Sequence, residues 1–240
     1  MKALIFAAGL GERMRPLTDR TPKPLLEVGG RALIVRHLEK LAAAGATDVV
    51  VNTSWLASRF PEALGDGSRW GLRLHFSVEG TVPLETGGGM LNALPRLRGD
   101  GGGNGAFLAI NGDIYSDHDY AALPLDPAGD AHLVLVDNPE HHPAGDFMLG
   151  GDGRIAAAGE PRLTFSGIGV YRPSLFDDWR AAVAGAPAID EVPPRFQLAP
   201  LLRAAMARDA VTGEHHRGRW TDVGTPARLE WLDAELRAEA

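Results

Sequence analysis

The sequence predicts an α/β fold, a three-layer sandwich in which a mostly parallel, mixed sheet lies between helices. Two observations predict it. Apolar runs of strand length recur along the chain, several without a polar face, as is typical of strands buried on both sides. Between them lie stretches with apolar residues at spacings of three and four, which predict amphipathic helices. Strands that alternate with helices form right-handed βαβ units with parallel strands.

The alternation is clearest in the first part of the chain. Ala3–Ala7 is a continuous apolar run and predicts the first strand. Residues 31–44 place apolar side chains on one face and end at Gly45, which predicts an amphipathic helix. Further strands are expected at Asp48–Val51, Leu72–Val78, Ala106–Ile110 and Ala131–Val136, and a further helix at Met90–Leu97. Gly99–Gly105 predicts a flexible connection within one domain, because the strand pattern resumes after it.

The second part of the chain has a more mixed pattern. Phe147–Leu149 and Arg154–Ile155 flank the glycine-rich turn Gly150–Gly153, which predicts a hairpin. Ser166–Tyr171 predicts another strand, closed by Pro173. Helices are expected at Leu175–Val183, Leu198–Ala207 and Pro226–Arg237.

Length and composition bound the class of protein. The 240 residues suit one large domain, which needs no disulfide or metal to hold it together. The absence of Cys excludes disulfide scaffolds, zinc–thiolate and iron–sulfur sites, and cysteine nucleophiles. A net charge of −7 argues against a nucleic-acid partner, which needs a dense basic patch. No segment predicts a signal peptide or a membrane helix, so we expect a cytoplasmic protein with no membrane partner.

The segment after the first strand predicts a phosphate-binding loop. Gly9 and Gly11 stand at the end of that strand, where glycine lets the backbone approach a phosphate and offer its N–H groups. Arg13 adds positive charge, and Lys23, one of only three lysines, lies between two prolines. The alternative is a glycine turn with solvated arginines, and the rigidly held lysine argues against it. The segment is not a dinucleotide fingerprint, because Met14 stands where the third glycine would be.

Two aspartates predict a magnesium site. Asp113, in Asn111-Gly112-Asp113, follows a buried strand at its carboxyl end, where ligands bind in open α/β sheets. Asp222 from a distant segment supplies a second carboxylate. Mg²⁺ takes one or two carboxylates together with water and substrate phosphates, so two aspartates suffice. For each aspartate there is a simpler interpretation than metal binding: Asp113 as a turn residue, and Asp222 as a residue that precedes the start of a helix. The presence of both aspartates favours the metal site.

Four segments together resemble a known family. They are Gly9–Thr18 with Pro22–Leu25, Leu84–Gly89, Asn111–Asp113 and Trp220–Pro226. In this order they resemble the signature of the sugar-1-phosphate nucleotidyltransferases, which join a nucleoside triphosphate to a sugar phosphate. The resemblance spans residues 3–226 and implies a Rossmann-like, glycosyltransferase-A-like nucleotidyltransferase fold in a single domain, residues 1–240. It further implies a nucleotide-binding half, residues 1–115, and a sugar-binding half with the C-terminal helices, residues 116–240.

The resemblance also implies roles for individual residues. It assigns catalysis to Arg13 and Lys23, and the cofactor Mg²⁺ to Asp113 and Asp222. The nucleotide is assigned to Ala7, Ala8, Gly9, Gly11, Glu85, Thr86, Gly87 and Gly88. The sugar is assigned to Asn111, Gly145 and Glu160.

Two positions depart from the family pattern. Glu85 stands where many relatives place glycine, so it either contacts the base or ribose or only shapes the pocket. Glu160 is followed directly by proline, where relatives commonly have lysine and then proline, which leaves Arg162 as the substitute cation. The plainer alternatives are an ordinary helix N-terminus for Thr86–Gly89 and a solvated turn residue for Glu160.

The resemblance also implies the substrates. Glu85–Gly89, Asn111–Asp113 and Phe165–Tyr171 are most similar to the branch that uridylylates N-acetylmuramic acid 1-phosphate in cell-wall recycling. This implies two small-molecule substrates, UTP and that sugar phosphate. Alternatives are a mannose-1-phosphate guanylyltransferase and a glucose-1-phosphate thymidylyl- or uridylyltransferase. A catalytically silent, nucleotide-sugar-binding regulator is a further alternative, although the metal aspartates and Lys23 are present. Without a visible dimerising extension, we expect a monomer.

Overall fold

A computed structural model describes residues 1–98 and 105–239 of the chain. The expected flexible connection Gly99–Gly105 therefore lies almost entirely outside the described residues. No helix in the described part of the chain combines the length and apolar character needed to cross a membrane.

The described residues form strands and α-helices in the expected alternation. The strands are β1 Lys2–Phe6, β2 Glu27–Val28, β3 Arg31–Ala32, β4 Asp48–Thr53, β5 Arg73–Val78, β6 Phe107–Asn111, β7 Ile114–Ser116, β8 Ala131–Val136, β9 Phe147–Leu149, β10 Ile155–Ala156, β11 Arg162–Tyr171, β12 Val211–His215 and β13 Trp220–Asp222. The α-helices are α1 Leu33–Ala43, α2 Arg59–Leu64, α3 Glu85–Leu97, α4 Trp179–Ala182, α5 Ala199–Met206 and α6 Pro226–Ala238. The pairing of the strands is mixed, as expected.

The chain divides into two compact units that are interleaved in sequence. The first consists of Met1–Pro83, Asn111–Ala122 and Arg219–Ala240. The second consists of Leu84–Ile110 and Leu123–Gly218. The predicted boundary between the nucleotide-binding and sugar-binding halves, after residue 115, falls within the segment Asn111–Ala122 of the first unit. The two compact units therefore do not coincide with the two predicted halves.

The first unit contains three strands that pair in parallel. β1 pairs in parallel with β4, and β4 pairs in parallel with β5. The inner residues of β1 and β4 are almost completely buried, which explains their unbroken apolar sequences. β7 and β13 form a separate antiparallel pair. A cluster of buried side chains that includes Met14, Val223 and Leu232 packs α6 onto this unit.

The second unit is built on β11, which is ten residues long. β11 pairs antiparallel with β6, β8 and β9, and β12 pairs in parallel with β8. β9 and β10 form the expected hairpin. β8 is buried along its whole length, in accord with its lack of a polar face.

Three expectations about helices and strands need correction. The helix expected at Leu175–Val183 is a 3₁₀ turn, Pro173–Phe176, followed by the short α4. α3 begins at Glu85 rather than Met90, because its glycines are stabilised by contacts with a distant segment. Helix α2 and the strands β2, β3, β7, β12 and β13 were not expected, since their sequences are short and carry polar residues, and β3 occupies the first two residues of the helix expected at residues 31–44.

Candidate active site

The loop after β1 contains the two glycines of the predicted phosphate-binding segment. Ala7 and Ala8 are buried at its start. Gly11 adopts a left-handed conformation with φ of 66°, and a Cβ there would lie 2.8 Å from the Thr18 Cγ2 atom. Thr18 in turn donates its hydroxyl hydrogen bond to the Gly11 carbonyl at 2.7 Å. A Cβ on Gly9 would meet nothing within 4 Å, so packing does not explain that glycine.

A buried amide that the sequence did not reveal anchors this loop. The backbone N–H of Ala7 donates to Asn52 Oδ1 at 2.7 Å, and Asn52 Nδ2 donates to Glu79 Oε1 at the same distance. Asn52 is 2% exposed and lies near the end of β4. Its position follows from the register of β4 beside β1, because Phe6 is the register partner of Asn52.

The two expected cationic residues lie in different surroundings. Arg13 is exposed, in the 3₁₀ turn Glu12–Met14. Lys23 lies in the 3₁₀ turn Lys23–Leu25, with a side chain that is 10% exposed. The Lys23 Nζ atom donates to Asp113 Oδ2 at 2.5 Å. The sequence suggested separate roles for Lys23 and Asp113 but did not indicate that the two side chains form an ion pair.

The two predicted metal aspartates lie at adjoining ends of two paired strands. Asp113 directly precedes β7, and Asp222 ends β13. Asp222 is the register partner of Ile114, and the N–H of Val223 donates to the Asp113 carbonyl at 2.9 Å. The antiparallel pairing thus brings two carboxylates that are far apart in sequence to one end of a two-stranded ladder. Asn111 is half-buried at the end of β6, two residues before Asp113.

The donor set of these aspartates fits a magnesium ion. Asp113 Oδ1 has no hydrogen-bond partner in the part of the chain that the structure describes, so one carboxylate oxygen remains for a ligand. Carboxylate oxygens are the ligands that Mg²⁺ prefers. Among the described residues no group of three or more His, Asp or Glu side chains forms a complete metal site. Water and substrate phosphates would supply the remaining ligands.

A second ion pair involves the other aspartate. The Asp222 Oδ1 atom accepts a hydrogen bond from the Arg228 guanidinium, in the first turns of α6. The side chains of Asp222 and Arg228 are 26% and 21% exposed. The sequence does not single out Arg228, because an arginine in a polar helix is usually a solvated surface residue.

A buried histidine supports the strand that follows Asp113. His37 on α1 has one ring nitrogen 3.0 Å from the Ile114 carbonyl and the other 2.8 Å from the Tyr120 hydroxyl. Burial, reinforced by the nearby Lys40 charge, lowers the pKa of His37 to about 4. The ring is therefore neutral at pH 7, with one nitrogen donating to the carbonyl and the other accepting from Tyr120.

In the second unit, the glycine-rich start of α3 packs against a distant segment. The N–H groups of Gly87 and Gly88 donate to the Phe196 carbonyl at 2.9 and 3.0 Å. A Cβ on Gly87 would lie 2.6 Å from the Phe196 ring. Thr86 Oγ1 accepts from the Leu198 N–H at 3.0 Å, and Glu85 is exposed with φ of 62°. Close packing thus explains why glycine occupies positions 87 and 88, and the role of these residues in nucleotide binding stays a prediction.

The expected sugar-binding residues of this unit lie in turns. Gly145 has φ of 61°, and a Cβ there would meet Asn138 Oδ1 at 2.7 Å. The Glu160 side chain is 81% exposed, and Arg162 Nε lies 3.8 Å from its carboxylate. Both positions are compatible with turn residues, so their contact with a sugar remains a prediction.

Comparison with known proteins defines the class. The family model for nucleotidyl transferase matches residues 2–147, and the chain therefore belongs to the nucleotidyl transferase family of enzymes. Within it, the chain is 46% identical to an N-acetylmuramate alpha-1-phosphate uridylyltransferase of Neisseria meningitidis serogroup B, over 98% of this chain and 97% of that one. It is 35% identical to the protein of the same name from Caulobacter vibrioides, over 99% and 95% of the two chains.

Solved structures show the same fold. A glucose-1-phosphate thymidylyltransferase from Bacillus anthracis, in complex with sucrose, superposes with a TM-score of 0.80 at 22% identity, covering 99% of this chain and 95% of that one. HddC from Yersinia pseudotuberculosis superposes with a TM-score of 0.69 at 19% identity, covering 98% of both chains. The expected nucleotidyltransferase fold, with a mixed sheet and flanking helices, is confirmed.

Proposed function

We propose that the chain transfers a uridylyl group from UTP to N-acetylmuramic acid 1-phosphate in a Mg²⁺-dependent reaction, yielding UDP-N-acetylmuramic acid and pyrophosphate. The observation that carries the proposal is the 46% identity, over almost the full length of both chains, to a uridylyltransferase of that name. The ion pair of Lys23 with Asp113 supports it, because it places a cation and a potential metal ligand together in the first unit.

The reaction balances without a general base. A phosphate oxygen of the sugar 1-phosphate attacks the α-phosphorus of UTP, forming a new P–O bond. The bond between the α-phosphorus and the bridging oxygen to the β-phosphorus breaks, and pyrophosphate leaves with that oxygen. Phosphate oxygens are ionised at neutral pH and need no deprotonation, so positioning and charge neutralisation supply the catalysis.

Residues of the first unit supply the charge. Lys23 neutralises the two phosphates that react, and Arg13, which is exposed, binds the β- and γ-phosphates. Asp113 and Asp222 hold Mg²⁺, which when bound neutralises phosphate charge as a Lewis acid. The N–H groups around Gly9 and Gly11 receive the triphosphate, because Gly9 leaves open space beside the backbone.

Residues of the second unit supply specificity in the proposal. Glu85, Thr86, Gly87 and Gly88 are assigned to the nucleotide, and Gly145 and Glu160 to the sugar. Glu85 is exposed and has a positive φ angle, a conformation that costs free energy in residues other than glycine. Such conformations are concentrated at active sites and ligand-binding sites. We also expect a cytoplasmic monomer active in peptidoglycan recycling.

One substrate screen tests the proposal. The common nucleoside triphosphates are combined with the 1-phosphates of N-acetylmuramic acid, N-acetylglucosamine, glucose and mannose, with Mg²⁺ and with EDTA, and pyrophosphate release is measured. Turnover confined to UTP and N-acetylmuramic acid 1-phosphate supports the proposal. A preference for mannose with GTP, or for glucose with dTTP, would favour the alternatives. If no pair releases pyrophosphate, and calorimetry nevertheless shows that the protein binds a nucleotide sugar, the silent regulator is favoured.

A further inference from the structure

The pair of Asp222 and Arg228 has the features of a substrate-dependent charge pair. The segment that links them is Asp222-Val223-Gly224-Thr225-Pro226-Ala227-Arg228, in which α6 begins at Pro226. Thr225 caps this helix, and its Oγ1 accepts from the Arg228 N–H at 3.4 Å. The cap fixes the first turn of the helix and therefore the direction in which Arg228 extends.

Gly224 leaves room for the guanidinium to reach back over the start of the helix. A Cβ on Gly224 would lie 2.4 Å from Arg228 Nη2 and 2.9 Å from Asp222 Oδ2. A larger residue at this position would therefore require the guanidinium to shift from its place over Asp222. The absence of a side chain at Gly224 thus gives the Arg228 guanidinium the space in which it contacts the Asp222 carboxylate.

The same arrangement occurs at the other proposed metal ligand. Lys23 Nζ lies 2.5 Å from Asp113 Oδ2, as Arg228 lies against Asp222. Each carboxylate that would hold Mg²⁺ therefore has its own cation in the absence of ligands. Lys23 already has a proposed second role, since it neutralises substrate phosphate. By analogy, Arg228 is a candidate for a second role as well.

We propose that Arg228 is a substrate-binding residue, which neutralises Asp222 in the ligand-free protein and binds an anionic group of the sugar 1-phosphate in the complex. A metal ion held by Asp222 would share the charge of the carboxylate, so that Asp222 would attract the Arg228 guanidinium less strongly. The planar guanidinium then offers two parallel N–H groups to phosphate or carboxylate oxygens. The inference rests on the proposed function, which supplies the sugar phosphate.

The geometry predicts effects of opposite sign on metal and on sugar. In R228Q, a positive charge near the metal carboxylate is lost, so the protein binds Mn²⁺, used as a probe, about fivefold more tightly without any substrate. The same variant binds N-acetylmuramic acid 1-phosphate about 10- to 100-fold more weakly, because a charged hydrogen-bond donor is missing. Loss of a purely structural residue would weaken both or neither.

The measurement needs no turnover. Electron paramagnetic resonance gives Mn²⁺ affinity, and calorimetry without UTP gives sugar phosphate affinity, for wild type, R228Q, R228K and R237Q. R237Q is the matched control, since Arg237 lies on the same helix and pairs with Asp233 at 2.7 Å. We expect wild-type values for it. R228K keeps the charge and loses the planar fork, so its Mn²⁺ affinity stays near wild type and its sugar affinity is intermediate.

The outcomes separate the sources of the anion. A loss in R228Q for both N-acetylmuramic and N-acetylglucosamine 1-phosphate assigns Arg228 to the phosphate. A loss for the former alone assigns it to the lactyl carboxylate. Unchanged sugar affinity, or unchanged or weaker Mn²⁺ binding, overturns the inference. If the wild-type protein binds no sugar phosphate, the proposed function is overturned instead. The two failures can be distinguished, because Mn²⁺ binding is measured without any sugar phosphate.

Discussion

Lys23 and Asp113 form an ion pair in which the lysine is the more buried partner, with 10% of its side chain exposed against 38% for the aspartate. A buried ammonium needs an anion beside it, and a proposed metal ligand serves that purpose here. The pair makes single substitutions informative at the residue scale, since each removes one charge and leaves the other unpaired.

Asp113→Asn and Lys23→Ala are each expected to lower kcat by about 100-fold or more, because the first would weaken the proposed Mg²⁺ site and the second would remove a cation proposed to neutralise the reacting phosphates. Steady-state kinetics with UTP and the sugar phosphate measures the effect, and thermal unfolding separates it from loss of folded protein. Glu62→Gln, which removes an exposed carboxylate paired with Arg59, is the matched control and should keep wild-type turnover. Near-normal kcat in either test variant would contradict the assigned roles.

Gly88→Ala is expected to destabilise the protein by about 1–3 kcal/mol, because packed interiors tolerate added atoms poorly. The added Cβ would lie 2.4 Å from the Pro194 carbonyl oxygen, which is backbone and cannot rotate away. Urea unfolding measures the change. Gly151→Ala is the control, since a Cβ there meets nothing within 4 Å. Equal stability of the two variants would show that the start of α3 does not pack as described.

At the scale of elements, α1 is tied to β7 by His37 and by Lys40, whose Nζ donates to the Ser116 carbonyl at 2.7 Å. Two side chains of one helix therefore satisfy carbonyls at both ends of a strand only three residues long. Such a short strand gains little from its own ladder, so these contacts hold the segment that follows Asp113.

His37 is expected to make stability depend on pH. Its folded pKa of about 4 lies below the ordinary value of 6.5, because burial disfavours the charged ring. The unfolded chain therefore binds the proton first, and stability falls as pH drops from about 6.5 to about 4, by about 3 kcal/mol in total. Urea midpoints across this range should fall less steeply for His37→Gln than for wild type. His141→Gln, at an exposed position, is the control and should follow the wild-type profile.

At the scale of the whole molecule, a protein of net charge −7 has to bind two polyanions. In the proposed function, the loop cations and a Mg²⁺ ion would overcome the repulsion from that charge locally. Binding of substrate should then be linked to metal, and the linkage should be visible in global stability.

UTP with Mg²⁺ at 100 times its Kd is expected to stabilise the fold by about 2.7 kcal/mol, since a ligand that binds only the native state shifts the unfolding equilibrium. Differential scanning fluorimetry measures the shift in Tm. EDTA in place of Mg²⁺ should remove most of it, while Mg²⁺ alone should produce little. A shift of the same size with EDTA would show that UTP binds without the metal.

Much of the fold and part of the candidate site could be predicted from the sequence. β1, β4 and β8 carry apolar residues on every face, and α1 carries an apolar stripe, so local patterns sufficed for them. β7 and β13 have too few residues for a pattern, and they exist because they pair with each other. α3 begins five residues early for a similar reason, since Phe196 accepts hydrogen bonds from its first turn.

The amino-acid sequence alone was enough to identify the class of enzyme, and it supplied the residues that we propose for phosphate and metal binding, because such binding requires particular residue types near strand ends. Only the tertiary structure decided how those residues are paired. Arg228 meets Asp222 at the junction of β13 and α6, whereas Lys23 meets Asp113 and Asn52 holds the loop after β1 across long separations in sequence. Such contacts arise when neighbouring strands assemble, and a linear pattern carries no record of which strands become neighbours.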